Sequence, residues 1–264
     1  MLCFNHDSGI LIRSDDAQLY VEEIGNLDAP ALILLHGGFG SIADFNTITP
    51  LLSSHFRLIG IDTRGHGRST LGKRKLTYPL LAEDLKNVIA KLGLPKYNIM
   101  GFSDGGIVSY HFASRNNPNI DKLVSIGASW EMNKDSPEFE NYSGITEHVW
   151  KEMFPESYNN YMQLNPEAHW GHFSDNVVSM WTNLEDNNYP DDIIKNINSD
   201  VLVIRGDNDP LTTLESIYRQ KKIMKSMHFL NIPFAEHAAY EDQPEIFLNA
   251  LNRFFEVNIV PNNG

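Results

Sequence analysis

The feature that most constrains the fold is a series of short, continuous apolar runs separated by helical stretches. Ala31-Leu32-Ile33-Leu34-Leu35 is unbroken by any polar residue and is stopped by Gly37-Gly38. Leu58-Ile59-Gly60-Ile61, Tyr97-Asn98-Ile99-Met100, Leu123-Val124-Ser125-Ile126 and Val201-Leu202-Val203-Ile204 have the same character. Runs of this length without alternation suit strands buried on both faces, the condition of a parallel sheet. Ahead of them, Gly9–Arg13 and Gln18–Ile24 predict a hairpin with Asp15-Asp16 at its turn. Leu81, Leu85, Val88, Ile89 and Leu92 share one helical face, and Gly93 and Pro95 end that helix. Ile246, Phe247, Ala250, Leu251, Phe254 and Phe255 mark a C-terminal amphipathic helix. The alternation predicts an α/β chain, a mostly parallel central sheet with helices on both faces.

The pattern breaks between Trp130 and Ile197. This stretch holds all four tryptophans, Trp130, Trp150, Trp170 and Trp181, with Met132, Met153, Met162 and Met180. Pro137, Pro155, Pro166 and Pro190 divide it into short helices. The sequence therefore divides into a core of residues 1–129 and 198–264 and a helical insert of 130–197 placed before the penultimate strand. An aromatic- and Met-rich insert serves either as plain core or as a lid over an apolar pocket. A lid of this composition predicts that esters of medium, hydrophobic acyl groups outrank acetates.

Composition excludes several functions. The formal net charge is −13, so the chain repels phosphate backbones, and nucleic acid is not an expected partner. The one cysteine, Cys3, excludes an internal disulfide. Residues 1–10 carry no basic region followed by an apolar stretch, and no apolar run approaches a membrane span. The expectation is a cytoplasmic chain with no membrane partner, as monomer or dimer, acting on a small molecule.

The chemistry gathers in three places. Gly101-Phe102-Ser103-Asp104-Gly105-Gly106 joins a strand to a helical stretch at 107–115. A serine on such a turn sits in strained backbone with its hydroxyl exposed, and the following helix start offers free N–H groups to a developing oxyanion. A serine nucleophile needs a base. Of ten histidines, His237 lies just past the Phe229–Ile232 strand and before the last helix. The base needs an orienting acid. Arg205-Gly206-Asp207-Asn208-Asp209-Pro210 follows the Val201–Ile204 strand and supplies two candidates, Asp207 and Asp209. The order Ser, Asp, His is that of an α/β-hydrolase. A weaker constellation, His169-x-x-His172 with Asp175, has helical spacing for a metal but lacks a fourth ligand. No phosphate or dinucleotide fingerprint is present, and neither metal nor cofactor is required by the chemistry assembled.

These segments make the chain similar to the α/β-hydrolase superfamily over essentially its whole length. Within it the chain resembles the small lidded serine esterases and amidases. The Gly-Phe-Ser-Asp-Gly-Gly turn resembles that of the valacyclovir-hydrolase-like group. His36-Gly37-Gly38-Phe39-Gly40 looks like the family's oxyanion loop, and Asp62-Thr63-Arg64-Gly65-His66-Gly67-Arg68-Ser69 like its D-x-R-G-x-G-x-S segment. The resemblance implies the α/β-hydrolase fold, a cap at 130–197, and catalysis by Ser103, His237 and Asp209. The family's spacing selects Asp209 over Asp207. The implied oxyanion hole is the backbone N–H of Asp104 plus that of Gly38 or Phe39, with His36 and His66 bracing their loops. Phe39 and Asp104 also stand as substrate contacts. Asp104 either caps its helix or faces the pocket to meet a substrate α-amino group. The implied activity is hydrolysis of small carboxylic esters, amides or thioesters, with amino-acid esters included. Alternatives on the same triad are carbon–carbon bond hydrolysis, lactone opening or a lyase step. A further alternative is a small-molecule receptor.

Overall fold

A computed structural model describes residues 2–259. Its strands are β1 (Ile10–Ser14), β2 (Ala17–Gly25), β3 (Ala31–Leu35), β4 (Arg57–Ile61), β5 (Tyr97–Phe102), β6 (Ile120–Ile126), β7 (Asp200–Gly206) and β8 (Met227–Ile232). Its helices are α1 (Thr49–Leu52), α2 (Tyr78–Leu92), α3 (Asp104–Ala113), α4 (Pro137–Ser143), α5 (Glu147–Met153), α6 (Pro155–Leu164), α7 (Trp170–Trp181), α8 (Leu214–Ile223), α9 (Ala239–Asp242) and α10 (Pro244–Phe255). The strands form one eight-stranded sheet in the order β1-β2-β4-β3-β5-β6-β7-β8. β1–β2 and β2–β4 pair antiparallel, and every pair from β4 to β8 is parallel. This is the α/β-hydrolase fold.

The apolar runs form strands because both faces are covered. Ile33 and Leu35 of β3 point into a core shared with α2 and α3, whereas Leu32 and Leu34 point into one shared with α10. The period of two thus splits one apolar run between two layers. The helix limits follow local chemistry. Thr77 caps α2 through its hydroxyl on Leu80 N–H, and Gly93 closes it at φ 63°. At the hairpin, Asp15 takes φ 53°, a conformation that aspartate tolerates better than most residues.

Helices α4–α7 lie between β6 and β7, followed by a 3₁₀ turn at Asp191–Asn196. Their buried aromatics Tyr142, Tyr161, Trp170, Phe173 and Trp181 join the same core as α2 and α3. Polar ties fix the insert to the core as well. Asn165 Nδ2 donates to the carbonyls of Gly65, Gly67 and Ser69 at 2.9–3.1 Å. Ser157 Oγ donates to the Phe39 carbonyl at 2.8 Å. Among the described residues, no helix is long and apolar enough to cross a membrane.

Candidate active site

Ser103 stands between β5 and α3 at φ 51°, ψ −118°. A non-glycine residue there stores on the order of 1–3 kcal/mol of backbone strain. The surroundings hold it in place. Its N–H donates to the Ile126 carbonyl at 2.8 Å, and its carbonyl accepts from Gly106 and Ile107. Glycine at 101 and 105 is a steric requirement. A Cβ at 105 would overlap the Leu35 carbonyl, and one at 101 would overlap the Gly105 carbonyl. The turn can be this tight only without those side chains.

Two more loops bring side chains to the same end of the sheet. The loop after β7 carries Asp209, and the loop after β8 carries His237. His237 Nδ1 lies 3.0 and 3.1 Å from the two carboxylate oxygens of Asp209, whose side chain is fully buried. Leu211 N–H donates to Asp209 Oδ1 at 2.8 Å, fixing the carboxylate plane. Asp207, the other sequence candidate, turns outward and accepts from Asn231 Nδ2 at 2.7 Å. The ring of Phe102, the residue before Ser103, sits 5.0 Å from the ring of His237. The serine turn and the histidine loop are therefore packed on one another.

Two supporting residues lay outside the sequence reading. Arg205 spans the acid loop, donating to the carbonyls of Thr212, Asp207 and Asp209. Gly127, just past β6, lies under the pair. A Cβ there would stand 3.0 Å from the His237 ring and 3.2 Å from Asp209 Oδ2. A glycine at the C-terminal end of a central strand was the available signal for close approach.

The loop after β3 separates two candidates. Phe39 adopts φ 59°, and its N–H donates to His66 Nε2 at 3.1 Å, so that N–H is spent. Its side chain is also committed. The Phe39 ring packs against Trp150, Trp170, Phe173 and Trp181 at centroid distances of 4.3–5.4 Å. The Phe39 N–H is therefore engaged by His66, and Phe39 lines a cavity of about 160 Å³ together with Gly38 and Trp150. Among the described residues, the Gly38 N–H meets no acceptor. His36 accepts from Thr63 N–H at 3.0 Å, and His66 bridges Arg64 and Phe39. Burial holds both imidazoles below their ordinary pKa, and so neutral. His169 Nδ1 caps α7 by accepting His172 N–H at 3.2 Å.

At Asp104 one of two alternatives falls away. Its carboxylate does not cap α3. Tyr78 Oη donates to Oδ1 at 2.7 Å, and Trp181 Nε1 donates to both oxygens at 2.8–2.9 Å. The group is buried and lies against Gly38, where a Cβ would stand 2.7 Å from Oδ2 and overlap the Trp181 ring. Burial pushes its pKa up to about 6, and the two donors limit that rise. Tyr142 packs on Trp181 at 4.9 Å and adds to the aromatic wall.

A model of the alpha/beta hydrolase fold family matches residues 30–175, more than half of the chain. The chain belongs to the alpha/beta hydrolase fold family. A putative esterase/lipase of Haemophilus influenzae is 34% identical over 103 residues, covering 39% of this chain and 36% of that protein. A proline iminopeptidase of Neisseria gonorrhoeae is 35% identical over 123 residues, covering 46% of this chain and 39% of that protein. The chain thus spans well under half the length of these relatives. The crystal structure of a hydrolase from Pseudomonas aeruginosa superposes with a TM-score of 0.76 at 19% identity, covering 95% of this chain and 99% of that one. At that identity the likeness concerns the fold.

Proposed function

We propose that the protein is a serine hydrolase of small carboxylic esters, amides or thioesters. The observation that carries this reading is the strained Ser103 turn packed, through Phe102, against a histidine whose Nδ1 is held by a buried carboxylate. In this reading Ser103 Oγ attacks the acyl carbon and passes its proton to His237 Nε2. His237 returns that proton to the leaving group, and the acyl group stays on Oγ. Water then attacks with the same base, and the acid product leaves. Asp209 keeps the Nδ1–H tautomer and stabilises the imidazolium. The N–H groups of Gly38 and Asp104 receive the tetrahedral oxyanion, each worth about 3 kcal/mol. Turnover of p-nitrophenyl esters, lost in Ser103→Ala, tests the reading.

The 130–197 insert serves as the cap in this account, with Trp181 as its closest element to Gly38. In this reading that ring bounds the acyl site and limits the chain length it admits, so short acyl groups are expected to outrank the medium ones its apolar composition suggested. Trp181→Ala should raise the hexanoate-to-acetate ratio of kcat/KM by about tenfold, a fraction of the burial energy of four methylenes at ~0.8 kcal/mol each. An unchanged ratio in a folded variant would remove Trp181 from the acyl site.

A second reading, amino-acid esters as substrates, draws on Asp104. Among the described residues, the hydrogen-bond donors to this buried carboxylate, Tyr78 and Trp181, are both neutral. A substrate ammonium would supply the missing countercharge. Wild type should prefer α-aminoacyl esters over matched des-amino esters by about tenfold or more, a difference of 1.4 kcal/mol. The pH dependence has a definite sign. Asp104 becomes neutral as pH falls through about 6, and the amine becomes neutral as pH rises through its own pKa. The preference should peak between the two and shrink in Asp104→Asn. Equal kcat/KM for both ester series in wild type would rule out this substrate class.

A further inference from the structure

The cavity of about 160 Å³ beside Phe39 lies where the loop after β3 faces the insert. Gly38 and Asp44 line its core side, and Trp150, Phe154, Asn160 and Tyr161 line the side of the insert. Gly38 borders two regions. A Cβ there would overlap the Trp181 ring and stand 2.7 Å from Asp104 Oδ2, groups that bound the acyl side in the proposed reaction. The same residue lines the cavity. Its neighbour Gly37 lies against the nucleophile, since a Cβ there would stand 3.1 Å from Ser103 Cβ. The cavity therefore begins one residue along the loop, ~4 Å of chain, from the contact with Ser103.

Asp44 is the one carboxylate of this lining. Gly40 makes room for it, because a Cβ at 40 would overlap Asp44 Oδ2. That oxygen accepts the Ser41 N–H at 3.2 Å and so closes the turn at Ile42–Thr47. Closing the turn uses one oxygen. Among the described residues, Oδ1 accepts no hydrogen bond and forms no ion pair, and it stays accessible from the cavity. Tyr240 Oη approaches the residue but donates to its backbone carbonyl at 3.3 Å. Burial pushes the Asp44 pKa up to about 7. Glu241 and Asp62 push the same way, while the Ser41 N–H and His6 oppose the rise. The carboxylate thus stands half-solvated, in mainly acidic company, without a bonded countercharge.

An open carboxylate oxygen facing aromatic rings suits a cation that carries some apolar surface. An ammonium N–H donates to Oδ1, and the rings of Trp150, Phe154 and Tyr161 receive the alkyl groups beside the charge. A neutral hydroxyl would satisfy the oxygen and leave its charge uncompensated. The position decides which part of a substrate arrives there. With the substrate carbonyl on the Gly38 N–H and its acyl group toward Trp181, the alcohol departs on the cavity side. We propose that this cavity is the leaving-group subsite of the Ser103 centre and that Asp44 selects esters whose alcohol carries an ammonium, an inference that rests on the hydrolase reading. Asp44 then acts on the alcohol half of the substrate, as Asp104 would on the acyl half.

The test compares kcat/KM of the full chain for 2-(dimethylamino)ethyl acetate and for 3-methylbutyl acetate, which has the same shape with carbon in place of nitrogen. The amine ester is intrinsically the more activated, so the change in the ratio between variants is the readout. Asp44→Asn keeps an oxygen for the Ser41 N–H and removes the charge, and it should lower the amine-to-alkyl ratio by about tenfold. Asp104→Asn should leave that ratio as in wild type. If Asp44→Asn fails to fold, the wild-type ratio carries the comparison. It should rise as pH rises through about 7 and Asp44 ionises, while the amine stays protonated. His237 serves both esters alike, so its own titration cancels in the ratio. A ratio unchanged in Asp44→Asn, one that falls in Asp104→Asn instead, or a flat wild-type ratio across that pH range would overturn the subsite. Turnover of p-nitrophenyl esters without turnover of the amine ester would also overturn the subsite alone, whereas a chain inert to all three would overturn the hydrolase reading with it.

Discussion

Ser103→Ala is expected to lower kcat on an activated acetate ester by about 10⁶, the loss seen when the nucleophile of a comparable triad is removed. The size follows from the mechanism. Without Oγ there is no acyl-enzyme, and His237 has no proton to take. The residual rate would come from the Gly38 and Asp104 N–H groups and from binding alone. The fold should survive. Ser103 keeps its place through backbone bonds to Ile126, Gly106 and Ile107, which alanine retains, and alanine at φ 51° bears strain similar to that of serine. Initial rates and a melting curve on the same preparation separate the two effects. A folded alanine variant within tenfold of wild type would mean that the chemistry runs elsewhere.

The second large effect separates two aspartates two residues apart. Asp209→Asn should cost about 10⁴ in kcat, because an amide can no longer hold the imidazole in the Nδ1–H tautomer or stabilise its charged form. Asp207→Asn should cost less than threefold. Among the described residues, its carboxylate reaches Asn231 alone, in an exposed position, and surface changes of that kind are usually within about 0.5 kcal/mol. Measured kcat values for both variants, taken at a pH where the wild-type rate is flat, give the ordering. A larger loss for Asp207→Asn would mean that His237 turns to another acid during turnover.

The sequence is legible where local rules and the fold agree. The β3 run, the Thr77–Gly93 limits of α2 and the hairpin at Asp15-Asp16 all follow from patterning within a few residues. So does the Ser103 turn, because the glycines around it are required by backbone overlap. Short or polar elements gave weaker signals. The turn at Ile42–Thr47 is too brief to show a helical period, and α10 ends at Glu256 in a left-handed conformation without a glycine to mark it. The site failed to be legible where contacts are long-range. Aspartate at a helix start reads as a cap, yet Asp104 is claimed by Tyr78, 26 residues earlier, and Trp181, 77 residues later. Local sequence makes Gly38 and Phe39 equivalent as oxyanion donors, and His66, 27 residues away, distinguishes them by accepting the Phe39 N–H. Tertiary partners decided both cases, and no window of local sequence contains them.

In the proposed function, Ser103 is a nucleophile activated by the His237–Asp209 pair. Intact-mass and peptide analysis after treatment with a fluorophosphonate tests it most directly, because the reagent needs the activated hydroxyl and no particular substrate. One adduct per chain is expected, on Ser103, absent in Ser103→Ala and formed far more slowly in His237→Ala. An unlabelled wild-type chain, or an adduct on any other residue, would contradict it.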